Sequence, residues 1–249
     1  MLTCGAVALA AMIGEGTMSS APGNNPQQIK SRERVANHGE VFTALREVNA
    51  MCDLVADECK RADARFLEPA CGDGNFLAVI LQRKLTELRR KYKKNPRDYE
   101  KQAILAIGSL YGVDILNDNV MDCRERLFGI WDAEYTAHCK GDTSDDAREA
   151  AKFIISRNIV NGNALTLMCV DAEGNDTTAP IVFSEWTLIG STQMQRSDYT
   201  LSDLLLYNDN TNEDGMGNLF ALTEDQKEEG GIFLRRYITH YKKVQDEGE

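Results

Sequence analysis

Residues 66–81, FLEPACGDGNFLAVIL, constrain the fold more than any other stretch of the chain. An apolar pair runs into Glu68 and Pro69, two small residues lead to Gly72-Asp73-Gly74, and an amphipathic run follows. This is the pattern of a strand, a glycine turn and a helix, the repeating unit of sheets whose strands alternate with helices. Gly72 and Gly74 carry no Cβ, so the backbone there can take left-handed angles or approach a ligand closely. An ordinary tight turn and a ligand cradle are both open at this point. If it is a cradle, its charges select the ligand. Glu68 and Asp73 would repel a pyrophosphate, so a cationic or zwitterionic ligand with hydroxyl groups is expected.

The rest of the chain repeats the alternation. Val48, Met51, Cys52 and Val55 fall at helical spacing within 30–60, and a long helix is expected from Asn75 to about Lys93. Pro96 in NPRD suits the first turn of a further helix through EKQAILAIGSL. SLYGVDIL (109–116) reads as a second buried strand, with Asp114 where the apolar run ends. Helices are expected from Asn117 to Trp131 and over AREAAKFIIS, with a third short strand in NIVNGNAL (158–165) and a fourth at 180–183, PIVF. The fold class is therefore α/β, mainly parallel, with helices on both faces of the sheet. An acid at the end of the second strand of such a unit accepts hydrogen bonds from a ribose diol. Asp114 fits that role or that of a helix cap, although it follows Gly74 by 40 residues rather than roughly 20.

Composition excludes several classes. Seven cysteines are scattered with no CxxC pair, which reads as reduced cytoplasmic thiols and neither a disulfide framework nor a metal site. No stretch approaches the roughly 20 apolar residues of a membrane span. The opening apolar run has no Lys or Arg before it, which argues against an export signal. Residues 1–29 read as a disordered leader, with Met18 as a candidate start, 30–207 as the folded domain and 208–249 as an acidic tail. The net charge of −11 is uneven. From Gln28 to Lys101 there are 16 Lys and Arg against 12 Asp and Glu, and the remainder is strongly acidic. RKLTELRRKYKK (83–94) is either a solvated helix face or a local basic face for nucleic acid.

FLEPACGDGNFL resembles the D/E-P-A-C-G-S-G-x-F-L motif of S-adenosylmethionine-dependent DNA methyltransferases, particularly the adenine-specific enzymes of restriction-modification systems. LYGVDI is similar to their second-strand motif, and NHGEVFT (37–43) resembles the G-x-x-[FY]-T-P element that precedes the first strand. The resemblance covers about 31–170. It implies a Rossmann-like class I methyltransferase sheet, truncated here, with S-adenosylmethionine as cofactor and duplex DNA as partner, together with a specificity or restriction subunit. Carried over by position, Glu68 and Pro69 lie by the methionine amino group, with the backbone of Ala70, Gly72 and Gly74 against the cofactor. Asp114 holds the ribose hydroxyls, Ile115 packs on the adenine, and Phe42 and Thr43 close the methionine pocket. NIVNGNAL resembles the third-strand motif, with Asn163 in place of an aspartate facing the adenine amine.

The catalytic motif of that family, [DNS]-P-P-[YFW], is absent: none of the five prolines is adjacent to another. Where it is expected stands PIVFSEWTLI, whose Ser184, Glu185 and Trp186 would supply polar acceptors and an aromatic platform for a flipped base. Trp186 as a core residue is the competing reading. Three functions follow: an adenine-specific DNA methyltransferase, a non-catalytic cofactor-binding relative that acts through a partner, and a methyltransferase for RNA, protein or a small molecule.

Overall fold

The computed structural model describes residues 6–8, 43–209 and 234–247. Its centre is a six-stranded mixed sheet. Four short strands, β1 (Ala6–Ala8), β2 (Arg65–Glu68), β3 (Leu110–Asp114) and β4 (Ile159–Asn163), run parallel in that order. β5 (Met168–Val170) and β6 (Asp176–Pro180) continue the sheet antiparallel. Ala6–Ala8 thus belong to the sheet, within the stretch expected to be a leader; the rest of 1–29, Met18 and Phe42 lie outside the described residues.

Helices fill the crossovers as the periodicity predicts. α1 (Leu45–Leu54) buries Val48 and Cys52 against α2 (Asn75–Lys91). α3 (Pro96–Gly108) has Pro96 in its first turn and Asn95 as cap, whose side chain accepts from the Asp98 amide at 3.2 Å. α4 (Asn117–Cys139) runs longer than the expected helix, and α5 (Asp145–Asn158) leads into β4. Helices α1–α5 share one apolar cluster with Phe66, Leu110 and Ile159 of the strands.

Among the described residues the expectation of helices on both faces is met in part: α1–α5 cover one face, and the other has a mixed cover. Leu67, Tyr111 and Val113 face the other side, where they meet Ile181, Phe183, Tyr199 and the first residues of α6 (Leu201–Asp209). Phe183 and Tyr199 belong to a three-stranded antiparallel sheet: β7 (Val182–Ile189), β8 (Gln193–Thr200) and β9 (Arg235–His240). The fourth parallel strand expected at 180–183 is not formed. Pro180 ends β6, Ile181 sits in the second cluster, and Val182 starts β7, which pairs only within the antiparallel sheet. The hairpin β7–β8 wraps round the starting ends of the parallel strands, since Phe183 and Tyr199 join one cluster while Trp186 and Met194 join the other. The stretch expected to be a tail is partly built in as well: Tyr241 and Val244 are in the main core. Glu100 of α3, 3% exposed, accepts from the Tyr135 and Tyr241 hydroxyls and pairs with Lys242 at 2.7 Å.

Candidate functional site

The parallel strands β2, β3 and β4 end on the same edge, and the chemistry-bearing residues of the first motif gather there. Gly72 and Gly74 both have left-handed φ, 52° and 85°, so the turn requires glycine on backbone grounds alone. At Gly74 there is a steric demand too: a Cβ would lie 2.7 Å from Cys123 Sγ on α4. The turn is closed by the Gly74 amide donating to the Cys71 carbonyl at 2.8 Å and tied to β3 by the Cys71 amide donating to Val113 O at 2.9 Å.

Asp114 joins the two strand ends. Its Oδ2 accepts from the Gly72 amide at 2.8 Å, and Oδ1 accepts from the Leu116 amide at 2.9 Å and from Asn119 Nδ2 at 3.3 Å. The carboxylate is 9% exposed and fixes the glycine turn against the loop after β3. Of the roles foreseen for it, the hydrogen bonds show the local one: the side chain accepts from backbone amides on both sides of the cleft between the turn and the loop. Asn161 clips the same loop, donating to Asp114 O at 2.9 Å and Ile115 O at 3.0 Å. Ile115 itself is 36% exposed at the strand end.

Glu68 differs from its neighbours. Among the described residues its carboxyl has no hydrogen bond or ion pair, and burial raises its pKa to about 8. Asp73 is offset instead: its Oδ2 pairs with Arg126 Nη2 at 2.7 Å, while Arg126 Nη1 donates to Asn75 Oδ1 at 2.7 Å. The acidity foreseen for the turn thus resides in Glu68 and Asp114, and Arg126, on α4, was not foreseen. Nothing local in DCRERLF distinguishes Arg126 from the basic residue two positions earlier; the 53-residue separation from Asp73 hides the pair. Below the turn, Cys71 is in hydrogen-bond contact with Cys123, which together with burial pushes its thiol well above the ordinary value and leaves it un-ionised.

The remaining cofactor positions are distributed unevenly. Pro69 and Ala70 form the turn that leaves β2, and Thr43 is exposed just ahead of α1. Asn163 is at the end of β4, but its side chain is engaged in the β4–β5 turn: Oδ1 accepts from the Leu165 amide at 3.0 Å, and Nδ2 donates to Asp176 at 3.1 Å.

Ser184, Glu185 and Trp186 are not part of this cluster. All three are on β7, which sits at the starting ends of the parallel strands, opposite to the glycine turn. Ser184 is fully buried, its Oγ donating to Asp198 Oδ1 at 2.6 Å and its amide to Asn158 Oδ1 at 3.1 Å. Glu185 pairs with Arg65, the first residue of β2, whereas the turn follows the last. Trp186 is 4% exposed, its ring lying against Gly108 and meeting Phe153 edge-on at 6.2 Å. The expected catalytic trio is corrected on this ground: buried side chains at the opposite end of the sheet, Ser184 and Glu185 engaged by Asp198 and Arg65, cannot present acceptors or a stacking platform to a base near the turn. Trp186 is a core residue.

The basic run 83–94 is partly engaged, with Lys91, Lys93 and Lys94 exposed. Lys84 is fully buried, with Nζ donating to Arg61 O at 2.9 Å, Ser109 Oγ at 2.8 Å and Ala64 O. Arg83 pairs with Asp53 at 2.8 Å, Arg90 with Glu87 at 2.5 Å and Arg89 with Glu134 at 3.3 Å. Among the described residues no group of His, Cys, Asp and Glu could hold a metal ion, and no helix is long and apolar enough to cross a membrane. No family model, curated protein or solved structure matches the chain.

Proposed function

We propose that the chain binds S-adenosylmethionine at the carboxyl ends of β2, β3 and β4 and serves DNA methylation, as an adenine-specific methyltransferase component of restriction-modification type. The observation that carries this reading is the link between Asp114 and the Gly72 amide at 2.8 Å, which joins the glycine turn and the second strand end into one cradle beside an unpaired Glu68 carboxyl. A cradle with an unpaired, half-buried acid and, among the described residues, no basic residue other than the engaged Arg126 suits a ligand carrying ammonium and sulfonium charge, and disfavours phosphate. When bound, the cofactor would supply an electrophilic methyl group. This chain's own contribution is to orient it: Glu68 towards a cationic group, Asp114 towards hydroxyls, and the left-handed turn as a backbone surface without side chains. The finer fold assignment, a Rossmann-like class I sheet in a cytoplasmic protein, belongs to the same proposal.

A second reading, a non-catalytic cofactor-binding relative acting through a partner, is favoured by one observation. The three residues that would have replaced the missing catalytic motif are buried at the far end of the sheet. A specificity or restriction subunit would then bring both the duplex and the acceptor groups for the target amine.

Two measurements decide. Calorimetry with S-adenosylmethionine should give saturable binding that Asp114→Ala weakens by about 1–3 kcal/mol. Labelled methyl transfer to duplex DNA, with and without the proteins encoded beside this one, then separates the two readings. Absence of binding heat would remove both.

A further inference from the structure

The end of the sheet opposite to the glycine turn holds a group of arginines that the cofactor reading does not use. Arg157 is in the last turn of α5, Arg196 is on β8, and Arg235 opens β9, paired in register with Asp198. Asp198 is the carboxylate that Arg157 and Arg196 share, and its oxygens are already taken. Arg196 donates to it through Nε at 2.8 Å and Nη2 at 2.7 Å, and Ser184 Oγ donates at 2.6 Å. Arg157 approaches the same carboxylate only at 3.7 Å.

Two guanidinium nitrogens of this group are left without a partner among the described residues: Arg157 Nε and Arg196 Nη1 are both buried and make no hydrogen bond. Arg196 is also held rigidly: it is 5% exposed, with its guanidinium over the rings of Phe153, Trp186 and Tyr237 at 5.4, 5.9 and 5.2 Å. Burial, and then the adjacent Arg196 charge, hold Arg157 below the ordinary arginine value; Asp198 works the other way, and Arg235 adds to the repulsion. A guanidinium kept beside like charges and partly out of water is costly unless an anion completes the group. The Arg157 side chain is 32% exposed, so such an anion can reach it from solvent.

We propose that Arg157, backed by the fixed guanidinium of Arg196, forms an oxyanion site that takes a phosphate group. The planar fork of arginine matches two oxygens of a phosphate, which a lysine cannot do. The site is independent of the cofactor cradle, because α5 ends where β4 begins whereas the cradle lies where the strands end. The phosphate can belong to a nucleic-acid backbone or to a free phosphorylated molecule, and both offer the same oxygens.

The test uses the full chain. Thermal unfolding and calorimetry are measured with inorganic phosphate against chloride at matched ionic strength, and then with a short DNA duplex. Phosphate is expected to raise the unfolding temperature above that in chloride. Arg157→Gln should weaken phosphate binding about tenfold or more, with Arg157→Lys intermediate. S-adenosylmethionine binding should be unchanged in Arg157→Gln, which keeps failure here distinct from failure of the cofactor reading. If duplex affinity also falls in Arg157→Gln and its salt slope drops by about one, the source is a nucleic-acid backbone. If only inorganic phosphate responds, the source is a free phosphorylated molecule. A wild-type protein indifferent to phosphate over chloride overturns the site without need of any variant, as does an Arg157→Gln protein that binds phosphate as tightly as wild type.

Discussion

Glu68 is the residue whose environment is hardest to explain without a ligand. Its carboxyl sits at the end of β2 with no partner among the described residues, and burial holds its pKa near 8 against an ordinary 4.5. Between those values the unfolded chain has lost a proton that the folded chain keeps, so stability falls as pH rises through the window and is fully present only below it. The contribution is on the order of 4 kcal/mol at most, because the carboxyl is not wholly shielded from water. A cationic ligand reverses the preference by favouring the carboxylate. Two outcomes are expected. Thermal unfolding of the wild type should show stability lost from about pH 5 to 8 that Glu68→Gln does not lose. S-adenosylmethionine affinity should fall on acidification below pH 8, by up to about tenfold per pH unit, and Glu68→Gln should lack that slope. Matching pH profiles in the two proteins would show that the carboxyl is neither strained nor used.

At the scale of elements, β7 shows what local sequence could and could not convey. The helices were legible from their apolar stripes, and α3 also has a cap and a proline at its start, Asn95-Pro96. The glycine turn was legible because a left-handed backbone needs glycine wherever it occurs. VFSEWTLI was misread because Ser184 and Glu185 look like solvent-facing residues of a half-buried strand. They are buried by partners 14 and 120 positions away, Asp198 and Arg65, which no local pattern announces. Equally hidden from local pattern is Lys84 in the basic run 83–94, a fully buried cross-link between α2 and the segment before β2. Trp186 ties β7 to the helical layer through Gly108 and Phe153. Trp186→Ala should therefore cost about 3–5 kcal/mol in chemical denaturation. Cofactor affinity of the folded fraction should be unchanged, since the ring is at the opposite end of the sheet from the turn. Intact stability with lost binding would return Trp186 to the site.

For the molecule as a whole, the decisive feature is the direction in which the sheet is built. Strands β1 to β6 follow one another in sequence order, with no reversal, and among the described residues the flank of β2 away from β3 pairs with the three residues of β1. Doubly wound sheets place their ligand crevice at a reversal of strand order, so this cradle is walled on one side by β3 and β4 and lacks the opposite wall among the described residues. What closes the fold is at its other end, where β9 and the residues after it return to the helices. Tyr241 and Val244 enter the main core, Lys242 and the Tyr241 hydroxyl meet the buried Glu100, and β9 completes the sheet that covers the parallel strands. Removing residues 235–249 would leave Glu100 buried with Tyr135 as its remaining partner and would open the edge of β8 along six paired residues. The loss should be global: about 10 °C or more in unfolding temperature, with the transition still single because the helices and the hairpin share one core. Tyr241→Phe, which removes only the hydroxyl bonded to Glu100, should lower it by a fraction of that amount. A truncated chain that unfolds at the wild-type temperature would make these residues an appendage, and the closure of the fold would then have to lie in the helices alone.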